Sequence, residues 1–118
     1  MIDPRAVFYG VIVDQLLTLV VPWLVPRIDL EALAAAGAAS TMLGGYVAGR
    51  VATSAEWLQG GAVGVIALAI GLLSGVERIA VLPRWYVATV FLAVVPAGAL
   101  GGLVARGRKP FDARRALV

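Results

Sequence analysis

The chain has 118 residues, of which 61% are hydrophobic and 14% are charged, and its net charge is +3. Soluble domains carry about 25% charged residues, so this composition excludes a globular surface and predicts a single membrane domain. Neither cysteine nor histidine is present, which excludes disulfides, thiolate or imidazole metal sites and histidine-ligated haem. We therefore expect no metal and no cofactor.

The first predicted span covers residues 6–25, an apolar run long enough to cross the ~30 Å hydrocarbon core. Asp3 and Pro4 precede it as a helix start, because aspartate accepts from free N–H groups and proline needs no donor there. A cleavable signal peptide is the competing interpretation, since small residues at 34–36 follow the apolar run. We expect the segment to be retained as a span.

Three more spans are predicted over residues 30–51, 57–76 and 84–105, and residues 106–118 form a basic tail. Asp29 is the expected cap of the second span, and Pro83 opens the fourth. The predicted connections are short, at most about ten residues, so consecutive spans are expected to be antiparallel neighbours. The predicted fold class is an all-α integral membrane protein with four transmembrane helices in two antiparallel hairpins.

Lysine and arginine are divided unequally between the two sides of the predicted bundle. Seven lie on one side and three on the other: Arg5, Arg50, Arg106, Arg108, Lys109, Arg114 and Arg115 against Arg27, Arg78 and Arg84. Because positive residues are retained on the cytoplasmic side, we predict a multi-pass protein of the inner (plasma) membrane with both termini in the cytoplasm. A basic tail beside a span is typical of a topology signal, so no nucleic acid partner is expected.

Two segments resemble each other at an offset of 57 residues. The six residues 43–48 read LGGYVA and the six residues 100–105 read LGGLVA, so five of six positions match. Each segment closes a predicted helix, which is the pattern that a duplicated two-helix hairpin would leave. Coincidence in a chain rich in glycine, alanine, valine and leucine is the alternative, and the sequence leaves both open.

Glycines recur in pairs at a spacing of four residues, which places both members of a pair on one helix face. The pairs are Gly45 and Gly49, Gly60 and Gly64, Gly71 and Gly75, and Gly98 and Gly102. A missing side chain lets two backbones approach closely, so we expect these glycines to pack helices together inside the bundle. A face that binds a second copy or another subunit is the alternative.

Asp14 is the main candidate for chemistry within the membrane. It lies about eight residues into the first span, where a carboxylate costs about 2.5–3.5 kcal/mol. The polar site expected around it is Asp14, Gln15, Thr18, Ser40 and Thr41. Two interpretations remain open: a carboxylate that couples to protons or cations, and a neutral aspartate hydrogen-bonded between helices.

The segment Gly44-Gly45-Tyr46-Val47-Ala48-Gly49-Arg50, followed by Trp57 and two glycines, resembles uncharacterised small prokaryotic four-helix membrane proteins with a GGY-x-AGR helix end. This resemblance covers about the middle half of the chain and implies a fold and a location. The chain is also similar in length and span number to small multidrug-resistance transporters. That family has glutamate in its first helix where this chain has Asp14.

The expected function is a non-enzymatic packing or accessory subunit, which associates with itself or with other subunits of a membrane complex. The alternative is a small oligomeric proton-coupled transporter or channel that uses Asp14, and a pore former with a basic tail comes third. An enzyme is not expected, because no nucleophile–base pair is recognisable and the connections are short. The lipid bilayer is the surrounding partner in each case.

Overall fold

A computed structural model describes residues 2–24, 29–79 and 82–108, apart from the side chains of residues 22 and 74–79. It contains four α-helices: α1 (Pro4–Leu24), α2 (Leu30–Val51), α3 (Glu56–Ile79) and α4 (Arg84–Arg108). All four are long and apolar enough to span a membrane. The prediction of an all-α protein with four helices of membrane-spanning length and composition is therefore confirmed. The surroundings of Gly75 and the residues Arg27, Lys109, Arg114 and Arg115 lie outside the described part.

Two aspartates begin helices, as the sequence predicts. The Oδ1 atom of Asp3 accepts from the backbone N–H groups of Arg5 and Ala6 at 3.1 and 3.4 Å. Asp29 caps α2, and its Oδ1 accepts from the N–H of Ala32 at 2.7 Å. Each carboxylate satisfies a donor that the first helical turn leaves free. The two caps therefore fix where α1 and α2 start.

Helix α2 is the centre of the bundle, because it packs against all three other helices. Helix α3 packs against α4 as well as α2, and α1 packs against α2 and α3. Helices α1 and α4 lie across the bundle from each other and share no extensive contact. The molecule is 49 Å long, close to the ~40–45 Å thickness of a bilayer with its headgroups.

Gln59 joins three parts of the chain at the end of the bundle where α1 begins. Its side chain is 0% exposed. Its Oε1 accepts from the Asp3 N–H at 2.8 Å, and its Nε2 donates to the Ser54 carbonyl at 3.3 Å. At the same end, Arg50 Nη1 donates to the Arg108 carbonyl at 3.4 Å and links the ends of α2 and α4. These bonds hold the start of α1 against the connection between α2 and α3.

Candidate membrane-embedded polar site

The bundle divides into two halves of different packing. A cavity of about 650 Å³ lies among all four helices. One end of the cavity is formed by Asp14 in α1, Thr41 in α2, Ala67 in α3 and Val94 in α4. From there it extends toward Leu82, in the connection between α3 and α4. We call this part the open half. The rest of the bundle, toward Asp3 and Arg108, is the packed half.

Asp14 lies at the base of the cavity, where the open half meets the packed half. It is 1% exposed although it belongs to the cavity wall. Its Oδ1 lies 3.2 Å from the Thr41 hydroxyl, the contact between the first two helices that the sequence makes available. The same hydroxyl lies 3.0 Å from the Gly37 carbonyl of its own helix, so its one hydrogen is shared between two acceptors. Its Oδ2 is buried and has no hydrogen-bond partner among the described residues. One oxygen of the carboxyl group is therefore buried without a hydrogen bond from the described part of the bundle.

The other residues of the expected polar site stand around Asp14 in different ways. Thr18 and Gln15 line the cavity beside it, and the Thr18 hydroxyl donates to the Asp14 backbone carbonyl at 2.8 Å. Ser40 also lines the cavity, but its hydroxyl donates to the Ala36 carbonyl of its own helix at 2.8 Å. Ser40 thus belongs to the wall, and its hydroxyl bonds to its own helix instead of to the carboxylate.

The packed half closes the base of the cavity with apolar side chains and backbone. Val7, Ala48 and Val63 form a buried cluster there. A Cβ on Gly10 would lie 2.6 Å from a Val63 methyl carbon and 2.9 Å from the Ala48 Cβ. Such distances show that α1, α2 and α3 are in close contact just beyond Asp14. The carboxylate therefore faces a cavity on one side and a dry, closely packed region on the other.

Most of the predicted packing glycines do bring backbones together. Gly98 lies where α2 and α3 both approach α4, because a Cβ on Gly45 or on Gly60 would collide with its carbonyl oxygen. Gly64 faces the Val94 carbonyl. Gly49 faces α4, and Gly102 faces the Glu56 carbonyl in α3. These glycines are used inside the bundle, so the faces that they form are covered by neighbouring helices.

The prediction that Gly71 packs helices together is wrong. Among the described residues, a Cβ at Gly71 would meet no atom within 4 Å, and Gly71 lines the cavity. The physical reason is that the four helices diverge in the open half, so a glycine there has no backbone opposite it. Spacing along one helix places residues on a face, but it does not show how far away the next helix lies.

Sequence reasoning missed three sets of residues that shape the bundle around Asp14 or at its packed end. Gly37 lines the cavity and has open space around it, and Gly10 and Gly44 pack together below Asp14. Gln59 was also missed, although an amide three residues after Glu56 in an otherwise apolar helix is a usable signal. Among the described residues, no three acidic side chains gather as a metal site would require.

No protein-family model, no curated protein and no solved structure matches this chain. The resemblance of residues 44–50 to small prokaryotic membrane proteins therefore stays a prediction.

Proposed function

We propose that this chain is a small oligomeric proton-coupled transporter or channel in which Asp14 binds a proton or a cationic solute. The observation that carries the proposal is Asp14 itself, a residue of the cavity wall whose Oδ2 atom is buried and lacks a partner among the described residues. A neutral aspartate used only for packing would be expected to have both oxygens satisfied by neighbouring groups.

The electrostatics of the cavity favour a positive occupant. Among the described residues of its wall, Asp14 alone carries a formal charge. An ionised carboxylate away from water is costly unless it is paired. A proton removes that charge, and a bound cation neutralises it, so the two compete for one site. Because the proton and the solute cannot both occupy the one carboxylate, binding of either one releases the other. This competition couples the movement of the solute to the movement of the proton.

The shape of the bundle favours access from one side. The cavity leads to Asp14 from the open half, while the cluster of Val7, Ala48 and Val63 separates the carboxylate from the opposite end. A protein that carries a solute across would alternate between this arrangement and one in which the packed half opens. We assign the described arrangement to the state that is open on the side of Leu82.

The orientation and the internal symmetry are part of the same proposal. With both termini in the cytoplasm of the inner membrane, the open half faces outward. Two antiparallel hairpins agree with the contacts of α1 with α2 and of α3 with α4. A duplicated hairpin is supported by the burial of both Gly45 and Gly102. It is opposed by their neighbours, because Gly45 faces α4 whereas Gly102 faces α3 and not α2. Single introduced cysteines test the orientation. A cysteine at Thr53 should be shielded from a membrane-impermeant thiol reagent in intact cells, whereas a cysteine at Leu82 should react.

A packing or accessory subunit is the second candidate. It is favoured by large apolar side chains that point away from the bundle, with Leu73 85%, Leu92 76% and Leu24 75% exposed. In a membrane these side chains contact lipid or another protein. Native purification separates the two functions, since a defined homo-oligomer supports the transporter and stoichiometric co-purification with larger subunits supports the accessory subunit.

The decisive variant is Asp14→Asn, because the amide preserves size and hydrogen bonding while it removes titration. Purified parent protein in weakly buffered solution should release protons when tetramethylammonium is added. In proteoliposomes, a proton gradient should drive uptake of that cation. Asp14→Asn should stay folded and lose both responses. The matched control is Asp29→Asn, which keeps the helix cap at an exposed site and should behave like the parent.

Two results would overturn the proposal. Asp14→Asn could retain proton release and gradient-driven uptake at parental levels, which would show that the carboxylate is not the coupling group. Alternatively, the folded parent could show neither response with this cation, which would favour the accessory subunit.

A further inference from the structure

Three exposed arginines gather where α2 and α4 end. Arg50 belongs to the last turn of α2, and Arg106 and Arg108 belong to the last turn of α4. The two helix ends are in close contact, because a Cβ on Gly49 would lie 2.8 Å from the Ala105 Cβ. The Nη1 atom of Arg50 also donates to the Arg108 carbonyl at 3.4 Å. We call these three arginines the basic cluster.

The helix ends neutralise only part of the charge of the basic cluster. The C-terminus of a helix carries about half a negative charge, so the ends of α2 and α4 together offset about one of the three positive charges. The acidic side chains described at this end do not supply the rest. Asp3 caps α1, across the bundle from α4, and Glu56 is 3% exposed. The surface of the cluster therefore keeps an excess of positive charge.

The basic cluster lies beside an exposed tryptophan. Gly102 and Arg106 are four residues apart, so they lie on one face of α4. A Cβ on Gly102 would be 3.1 Å from the Trp57 Cα, so this face contacts the first turn of α3. Trp57 is 50% exposed, and tryptophan is enriched where the membrane meets water. We therefore expect the cluster to lie at the depth of the lipid headgroups.

We propose that the basic cluster binds the phosphate of an anionic phospholipid in the leaflet around this end of the bundle. A guanidinium group presents N–H donors in a plane that matches phosphate oxygens. The lipid carries the charge opposite to that of the cluster, and its acyl chains lie in the membrane that the four helices are long enough to cross. This surface is separate from Asp14, and the inference does not depend on the function proposed for that residue.

The test compares two lipids with the same acyl chains, dioleoylphosphatidylglycerol, which is anionic, and dioleoylphosphatidylcholine, which has no net charge. Native mass spectrometry of the purified protein in detergent measures the dissociation constant of each lipid. The parent should bind phosphatidylglycerol at least about tenfold more tightly. Arg50→Gln and Arg106→Gln should each weaken that binding about fivefold and leave phosphatidylcholine binding unchanged. Arg106→Gln removes charge without removing the contact between Arg50 and Arg108.

Two exposed arginines outside the cluster provide matched controls, because glutamine there removes the same charge. Arg5 lies at the same end of the bundle in α1, and Arg84 begins α4 at the opposite end. Arg5→Gln and Arg84→Gln should keep the parental preference for phosphatidylglycerol. If Arg5→Gln weakens binding as much as Arg50→Gln, the attraction comes from diffuse charge and the site is overturned.

Two further results would contradict the inference. The parent could bind both lipids equally tightly, or excess inorganic phosphate could displace phosphatidylglycerol, which would identify a soluble phosphate as the ligand. Thermal unfolding is measured for every variant. If Arg50→Gln unfolds, Arg106→Gln decides the outcome: parental phosphatidylglycerol binding in that variant overturns the site, and a fivefold loss supports it.

Discussion

The packed half and the open half are built from the same four helices, and glycine has a different role in each. In the packed half, Gly45 and Gly60 approach the carbonyl of Gly98 so closely that a methyl group would not fit. In the open half, a Cβ at Gly37 or Gly71 would have no neighbour within 4 Å in the described part of the chain. The comparison shows that glycine content alone does not indicate helix contact. The distance to the opposite backbone decides what each glycine does.

Polar side chains differ between the two halves in the same way. Gln59, in the packed half, uses both its amide oxygen and its amide nitrogen in hydrogen bonds to backbone groups. Asp14, at the boundary, uses one carboxylate oxygen and leaves the other without a described partner. A satisfied amide holds segments together, whereas a buried oxygen without a hydrogen bond lacks a partner that the described residues could supply. The following variants test this division, from the largest expected effect to the smallest.

Gly98→Ala should cause the largest loss of stability. A Cβ there would collide with the Gly60 carbonyl oxygen and lie 3.2 Å from the Gly64 nitrogen, so α3 and α4 would have to move apart. Overpacking costs about 1–3 kcal/mol and here outweighs the gain of about 1 kcal/mol in helix propensity. The free energy of unfolding, measured by titration with sodium dodecyl sulfate, should fall by about 2 kcal/mol. Gly107→Ala, at an open position, should not lower it. Equal stability of the two variants would contradict the close approach of α3 and α4.

Gln59→Leu should destabilise the packed half without changing its volume much. The substitution leaves the Asp3 N–H and the Ser54 carbonyl without the amide that they contact. A buried polar group that loses its partner costs about 1–3 kcal/mol, so we expect a loss of about 1–2 kcal/mol. Amide exchange at Asp3 should also become faster. The control is Gln15→Leu, at a half-buried position on the cavity wall, which should cost less. A smaller effect at Gln59 than at Gln15 would refute the proposed contrast.

Thr41→Val tests the boundary between the halves and should have the smallest effect. Valine keeps the shape of threonine but removes the hydroxyl that contacts Asp14 Oδ1 and, within its own helix, the Gly37 carbonyl. A hydrogen bond of this kind contributes about 1 kcal/mol, and unfolding should become easier by about that amount. Ser40→Ala is the matched control, because the Ser40 hydroxyl bonds within its own helix. If both variants lose the same stability, the contact between α1 and α2 contributes nothing of its own.

The sequence predicts the helices and one polar contact well, because those features depend on local signals. Apolar runs and capping aspartates locate α1 and α2 to within a few residues, and equal depth in adjacent spans places Thr41 beside Asp14. The cavity could not be predicted in this way, since it depends on how the helices diverge. Gly60 and Gly71 each begin a pair of glycines spaced by four residues. Among the described residues, however, only a Cβ on Gly60 would meet the backbone of another helix. Helix separation is a tertiary property that spacing within one helix does not contain.

The most direct measurement compares thiol accessibility in the two halves. The natural chain has no cysteine, so Gly37→Cys and Val63→Cys each carry a single thiol. Gly37 lines the cavity, whereas Val63 is 0% exposed below its base. In proteoliposomes, a charged, water-soluble thiol reagent added on the side of Leu82 should modify Gly37→Cys, and tetramethylammonium should slow the reaction. Val63→Cys should stay unmodified from either side. An unreactive Gly37→Cys, or a Val63→Cys that reacts equally fast, would contradict an open half that leads to Asp14.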